Sequence, residues 1–258
     1  MRNAIAELGS SSQNLVLELG RIALFGLRVA GALLRPPYRI RRLIYELYDV
    51  GVLSLPIVCA SAVVVGAVLG LQLHIVLVNF GAEASLGQVV GLVLIRELGP
   101  VLTGLLVTGR AGSSMAAEIA VMNSTEQLDG MRTLAMDPVH YVVGPKALAM
   151  LLALPMLACL FIVFALGGAW LVAVELRGMD SGVFISGIEN NVVFETDVVG
   201  SLIKDFVFAA LIALVATYRG FTSGRSAADV GRATTSTVVT ASIWILVADF
   251  IVTAIWGF

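Results

Sequence analysis

Five stretches of this chain are nearly free of charge, and each is long enough to cross a bilayer. No Asp, Glu, Lys or Arg lies between Val50 and Ala82, which sets a first span near 52–79. Leu86 to Gly109 carries only Arg96 and Glu97 and forms a second. Ala147 to Val174 is uncharged and forms a third. Val198 to Tyr218, with Lys204 and Asp205, forms a fourth, and Thr235 to Trp256, with Asp249, a fifth. Each exceeds the ~20 residues that cover ~30 Å of hydrocarbon as a helix. None alternates with period two, so a membrane barrel is excluded. Composition agrees: 13% of the 258 residues are charged, against roughly 25% in soluble domains. That excludes a disordered chain, a nucleic-acid binder and an ordinary cytosolic enzyme. Cys59 and Cys159 both sit in apolar runs and suggest no disulfide framework. No short apolar run with a cleavage site opens the chain, so no removable signal peptide is expected.

Positive residues orient the spans. Five spans and a cytoplasmic N-terminus put Arg2, Arg21, Arg28, Arg35, Arg39, Arg41, Arg42, Arg110, Arg132, Lys146, Arg219, Arg225 and Arg232 inside. Arg177 falls outside, with Glu83, Glu175, Asp180, Glu189, Glu195 and Asp197. The expected topology is therefore N-in and C-out.

Residues 14–35 are apolar enough to span, yet Asn14, Glu18, Arg21, Arg28 and Arg35 recur on one helical stripe. Arginine at mid-bilayer costs ~2.5–3.5 kcal/mol on the insertion scale. An amphipathic helix in the cytoplasmic interface avoids that cost and turns the arginines to lipid phosphates; a sixth span is the alternative. Pro36-Pro37 is expected to end this helix, and Tyr38 to Asp49 to turn the chain into the first span. Residues 1–49 thus form an N-terminal region ahead of a transmembrane domain over 50–258. The fold class is an all-α integral membrane protein.

Gly104–Ala111 (GLLVTGRA) imitates a phosphate-binding loop, but Arg110 and Ala111 stand where Lys and Ser/Thr are required. If ATP is used, a partner chain must bind it. His74 and His140 are far apart in sequence, and no His/Cys spacing suits a metal. Arg96-Glu97, ahead of Gly99-Pro100, is the unusual pair: intramembrane charges must face protein or water. It is either a polar spot in a substrate cavity or a structural ion pair. Between spans two and three, Ser124 with Gln127 resembles a capping box. Leu128, Met131, Leu134 and Ala135 form a short apolar face, with Asp137-Pro138 as its stop. Such a helix either docks in a partner's groove or rests on lipid. Gly66xxxGly70 and Gly87xxxGly91 favour close helix approach.

Several motifs, in order, resemble one family. Arg96–Pro100 (RELGP), Gly109–Ser114 (GRAGSS), Ala117-Glu118, Thr125–Leu128 (TEQL), Asp137-Pro138 and Gly231–Thr235 (GRATT) are similar to those of the MlaE permeases, membrane subunits of bacterial phospholipid ABC transporters. The likeness runs from about residue 45 to the end. Lys204-Asp205 departs from a common Lys-Ser, and Thr222–Arg225 from a glycine-rich stretch. The resemblance implies a permease of the bacterial inner membrane that serves outer-membrane lipid asymmetry and has no catalytic residues of its own. It also implies a second copy of the chain, a cytoplasmic ATPase dimer that binds ATP and Mg, a STAS-domain protein and a periplasmic ring of MCE-domain subunits. It places a coupling helix within 118–136 and a lipid cavity between the two permeases.

Within that frame, Leu69, Leu73, Val76, Leu77 and Phe80 share one face of span one and are expected to line the cavity with Arg96 and Glu97. Leu128 and Met131 are expected to dock the ATPase, with Glu118 and Glu126 as polar contacts. Counted from the outer ends, Lys204 and Asp249 lie roughly 9–10 Å deep and Arg96 and Glu97 roughly 15–17 Å. Depth thus suggests Lys204 with Asp249 as a structural pair. The alternatives to transport are an intramembrane enzyme using Glu97, Asp249 or His74, and a scaffold for soluble partners.

Overall fold

The computed structural model describes residues 2–33 and 40–256, and all regular structure among them is helical. Five helical units are long and apolar enough to cross a membrane: Ile40–Asn79, Glu83–Ser124, Val139–Leu176, Phe194–Phe221 and Ala227–Ile255. Most run beyond the uncharged stretches, because a helix continues through charged residues wherever their side chains find partners.

Ahead of the bundle lie α1 (Arg2–Leu33) and α2 (Ile40–Val50), and α2 leads through one tight turn into α3 (Leu55–Asn79). Span two is built of α4 (Leu86–Val93), α5 (Gly99–Val107) and α6 (Ser113–Ser124), joined by π turns at Leu94–Leu98 and Thr108–Gly112. The short α7 (Gln127–Thr133) precedes span three, α8 (Gly144–Trp170), which has a π turn at either end. Then come α9 (Ser181–Glu189), α10 (Val199–Phe221), entered by a π turn at Phe194–Val198, and α11 (Ala227–Trp256).

α8 is apolar on every side and sits at the centre, between α3 and α10; α11 packs on the far side of α10. Span two leans across them: α4 lies against α3 and α9, α5 against α8 and α10, and α6 between α10 and α11. The α3–α8 contact is made by small residues. A Cβ at Gly66 would stand 1.8 Å from the Ala165 carbonyl oxygen, so only glycine lets these backbones meet. Gly87 plays the same part for α4 against α9, where the Phe184 carbonyl would be 2.1 Å away. Both glycine pairs noticed in the sequence thus mark helix contacts.

α1 begins at Arg2, earlier than the expected residue 14; the Pro36-Pro37 break and Arg35 lie outside the described residues. Phe25, Val29 and Ala32 form its buried stripe. The Phe25 ring meets Tyr218 edge-on at 5.7 Å and Phe221 at 5.6 Å, and Glu18 pairs with Arg219 at 3.0 Å. Arg21 and Arg28 stay exposed.

The capping box does not form. Ser124 and Thr125 donate their hydroxyls back to the Val121 carbonyl, and Glu126, with φ of 60°, precedes α7. The Asp137-Pro138 stop is also corrected: α7 ends at Thr133, Ala135 turns the chain with φ of 56°, and Asp137 accepts from the Val139 amide to open span three. Asp followed by Pro suits a helix start as well as a helix end, and local sequence does not separate the two.

Candidate functional site

Three of the helical units converge on a cluster of charges inside the bundle. Pro100 has no amide to give the Arg96 carbonyl one turn back. That carbonyl instead accepts from Lys204 Nζ, at 2.8 Å. The same ammonium pairs with Glu97 Oε2 and Asp249 Oδ1, each at 2.9 Å. Its side chain is fully buried, whereas that of Glu97 is 38% exposed. Thr253 donates to the other Glu97 oxygen at 3.2 Å. Span two, through its π turn at Leu94–Leu98, is thereby tied to α10 and α11 at one level.

Arg96 turns the other way, as adjacent helix residues must. Its Nη2 and Nε both reach Asp197 Oδ1, at 2.8 and 2.9 Å. Asp197 is wholly buried and also accepts from the Val193 amide at 2.8 Å. The sequence grouped Asp197 with the outer loop acids. The structure corrects this, because helix begins at Phe194 and carries Asp197 into the bundle. The same four extra residues lower Lys204 by about 6 Å at the helical rise, to the level of Glu97. The depth argument that separated Arg96 and Glu97 from Lys204 and Asp249 therefore fails, and Glu97 joins that pair. Next to Lys204, Asp205 is buried and its Oδ1 has no hydrogen-bond partner among the described residues.

Of the face expected on span one, Leu69, Leu73 and Leu77 are half-buried at the edge of the core. Val76 and Phe80 are exposed, Phe80 at 80%. Beside them, His74 is buried, and its Nδ1 has no hydrogen-bond partner among the described residues.

A second group of charges binds the helix ends that carry Arg110, Lys146 and Arg219. Lys146, almost fully buried, holds Glu46 of α2 at 2.7 Å and Glu118 of α6 at 2.6 Å. Arg110 donates to the Asp49 carbonyl and to Ser54 Oγ, and pairs with the Asp49 carboxylate at 3.2 Å. Near α7, Arg225 pairs with Glu126 at 3.0 Å and with Asp129 at 2.9 Å. Glu118 and Glu126 thus both have partners within the chain. Leu128, expected on an exposed docking face, is 1% exposed and belongs to the core, with Met131 packed against it. The correction has a simple cause: the helix is so short that its one apolar stripe is spent on the bundle. Leu134, at 70% exposure, is the large apolar side chain this segment presents outward.

Sequence reasoning missed Asp197, Lys146 and Glu46 as network members. One signal pointed to the first: Arg96 at mid-span demands a buried acid, and Asp197 lies close ahead of the fourth apolar run.

Residues 43–255 match the family described as Permease MlaE. The chain is 41% identical over 257 residues to the intermembrane phospholipid transport system permease protein MlaE of Haemophilus influenzae, covering 98% of this chain and 97% of that protein. It is 37% identical over 254 residues to a "Probable ABC transporter permease protein" of Rickettsia conorii, with 98% of each covered. It is also 31% identical to the chloroplast protein trigalactosyldiacylglycerol 1 of Arabidopsis thaliana, over 83% of this chain and 61% of that one.

Proposed function

The chain belongs to the MlaE permease family, and from that premise we propose that it is the membrane subunit of an ATP-driven phospholipid transporter. It moves phospholipid between the bacterial inner membrane and a periplasmic lipid carrier, and so maintains outer-membrane lipid asymmetry. The observation that carries this is the 41% identity, nearly end to end, with a permease named for intermembrane phospholipid transport.

Lys and Arg gathered at one end of the bundle support a cytoplasmic N-terminus and a periplasmic C-terminus. α1 lies in the cytoplasmic interface: its buried stripe faces the bundle, and its exposed arginines suit lipid phosphates. We read residues 1–49 as an N-terminal region, whose described helices α1 and α2 pack on the bundle, and residues 50–258 as the permease domain. The segment 118–136 is the coupling helix for a cytoplasmic ATPase dimer, where ATP and Mg bind. Leu134 is its strongest apolar contact, with Met131 and the rims of Glu118 and Glu126 beside it. A STAS-domain protein joins on the same side, and a ring of MCE-domain subunits on the other.

Two copies of the chain enclose the lipid cavity. Val76 and Phe80 supply exposed apolar surface for acyl chains, flanked by Leu69, Leu73 and Leu77. Glu97 offers a polar edge. Lys204 and Asp249 brace that edge, and Arg96 keeps a partly exposed guanidinium while bound to Asp197.

Proteoliposomes holding the permease with its ATPase test the proposal. ATP-dependent transfer of labelled phospholipid to an acceptor protein is expected, with lipid found in the purified complex by mass spectrometry. An ATPase that copurifies but hydrolyses at one rate with or without lipid, and no transfer, would overturn it.

A further inference from the structure

A pocket is built where α1 crosses the end of α10. It has a volume of about 270 Å³ and is lined by Leu17, Glu18 and Arg21 of α1 and by Tyr218, Arg219 and Thr222 of α10. Both signs of charge stand on its wall. Arg21 and Arg219 present two guanidiniums, the groups best shaped for bidentate contact with phosphate oxygens. Glu18 holds Arg219 at 3.0 Å, which fixes the Arg219 fork and leaves a second carboxylate oxygen to accept. The pocket also lies at the carbonyl end of α10, where the helix dipole favours a cation. An anion alone would meet that dipole and Glu18 as repulsion. A headgroup with a phosphate and an ammonium satisfies both. Beneath the pocket, the rings of Phe25, Tyr218 and Phe221 pack together, and Leu17 is exposed at its lip. An acyl chain leaving the headgroup thus finds apolar surface.

We propose that this α1–α10 pocket binds the headgroup of a phospholipid carrying a primary ammonium, drawn from the membrane interface at that end of the bundle. The site is separate from the charge cluster inside the bundle, and it does not rest on the transport reading. Its ligand ties α1 to α10 and so seats the N-terminal helix on the membrane.

The test uses the full chain in detergent, titrated with dioleoyl phosphatidylethanolamine, dioleoyl phosphatidylglycerol and inorganic phosphate, with bound species counted by native mass spectrometry. Retention of phosphatidylethanolamine over phosphatidylglycerol is expected, and millimolar phosphate does not displace it. Arg21→Gln weakens retention about tenfold, the order of one charge-assisted contact. Arg177→Gln, the same charge change on exposed surface away from α1, leaves it unchanged. A photo-crosslinker at Leu17 captures lipid more strongly than one at Leu24, which is equally exposed. Equal loss in both arginine variants, no loss in either, equal retention of phosphatidylglycerol, or displacement by phosphate overturns the assignment. So does equal capture at positions 17 and 24.

Discussion

Lys204 has more holding it than any pair argument on sequence proposed. Two carboxylates and one backbone carbonyl surround its ammonium, and none of its side chain reaches solvent. Removing one carboxylate leaves the others in place, whereas removing the ammonium strands two acids in an apolar bundle. Breaking a buried ion pair by deleting one partner costs ~3–5 kcal/mol. Lys204→Met should therefore lower the yield of monodisperse protein, and its melting temperature in detergent, well below those of Asp249→Asn. Equal melting of the two variants would refute a shared cluster. Asp197 should behave like Lys204 rather than like Asp249. Asp197→Ala takes the buried carboxylate away from the Arg96 guanidinium and the Val193 amide, and a large loss of folded protein is expected by size-exclusion profile.

The elements pack by two kinds of contact that respond differently to substitution. At the α3–α8 crossing the constraint is steric, since a methyl at Gly66 meets backbone rather than a side chain that can swing away. Gly66→Ala should separate the two helices and destabilise the protein by more than ~1 kcal/mol, the scale of overpacking. Gly109→Ala, with open space around its Cβ, should be neutral or slightly stabilising through helix propensity. Thermal melts of the two variants check this. In the segment after α6, burial divides neighbouring leucines. Leu128→Asp puts a charge in the core and should reduce folded protein. Leu134→Asp should leave the chain folded while reducing lipid-stimulated ATP hydrolysis by the complex. Normal coupling in folded Leu134→Asp protein would exclude that side chain from the contact.

At the scale of the whole molecule, the bundle is polar in its ends. The short helix α7, which holds Gly130, lies near Arg132 and Arg225, and the turn holding Gly178 near Glu175 and Asp180. Single cysteines at 130 and 178, with Cys59 and Cys159 replaced, report orientation through a maleimide that cannot cross membranes. Labelling of position 178 in spheroplasts, and of position 130 after permeabilisation alone, is expected. The reverse pattern would invert the topology. The outer helices α3 and α11 bury a much smaller share of their spanning residues than α8 and α10, 22% and 11% against 50%. Apolar side chains such as Val64, Phe80, Phe250 and Ile255 therefore face outward. Hydrocarbon or a second copy covers them at no cost in desolvated polar groups.

What residue order alone determined is the number of spans, the all-helical class and the glycine contacts, because hydrocarbon demands long apolar helices and close backbones demand small residues. The same order held the family motifs in plain view, from Arg96–Pro100 to Gly231–Thr235. It also suggested the Lys204–Asp249 contact, though for a reason of depth that the longer fourth helix removes. Only the tertiary structure decided the rest. A charge in a span must be paired, but which acid it meets depends on where helices start and how they rotate. Four helical residues ahead of Val198 turned Asp197 from a loop acid into the partner of Arg96. The choice between inward and outward faces of α7 likewise belongs to packing: one apolar stripe serves the core or a partner equally well, and the bundle claimed Leu128.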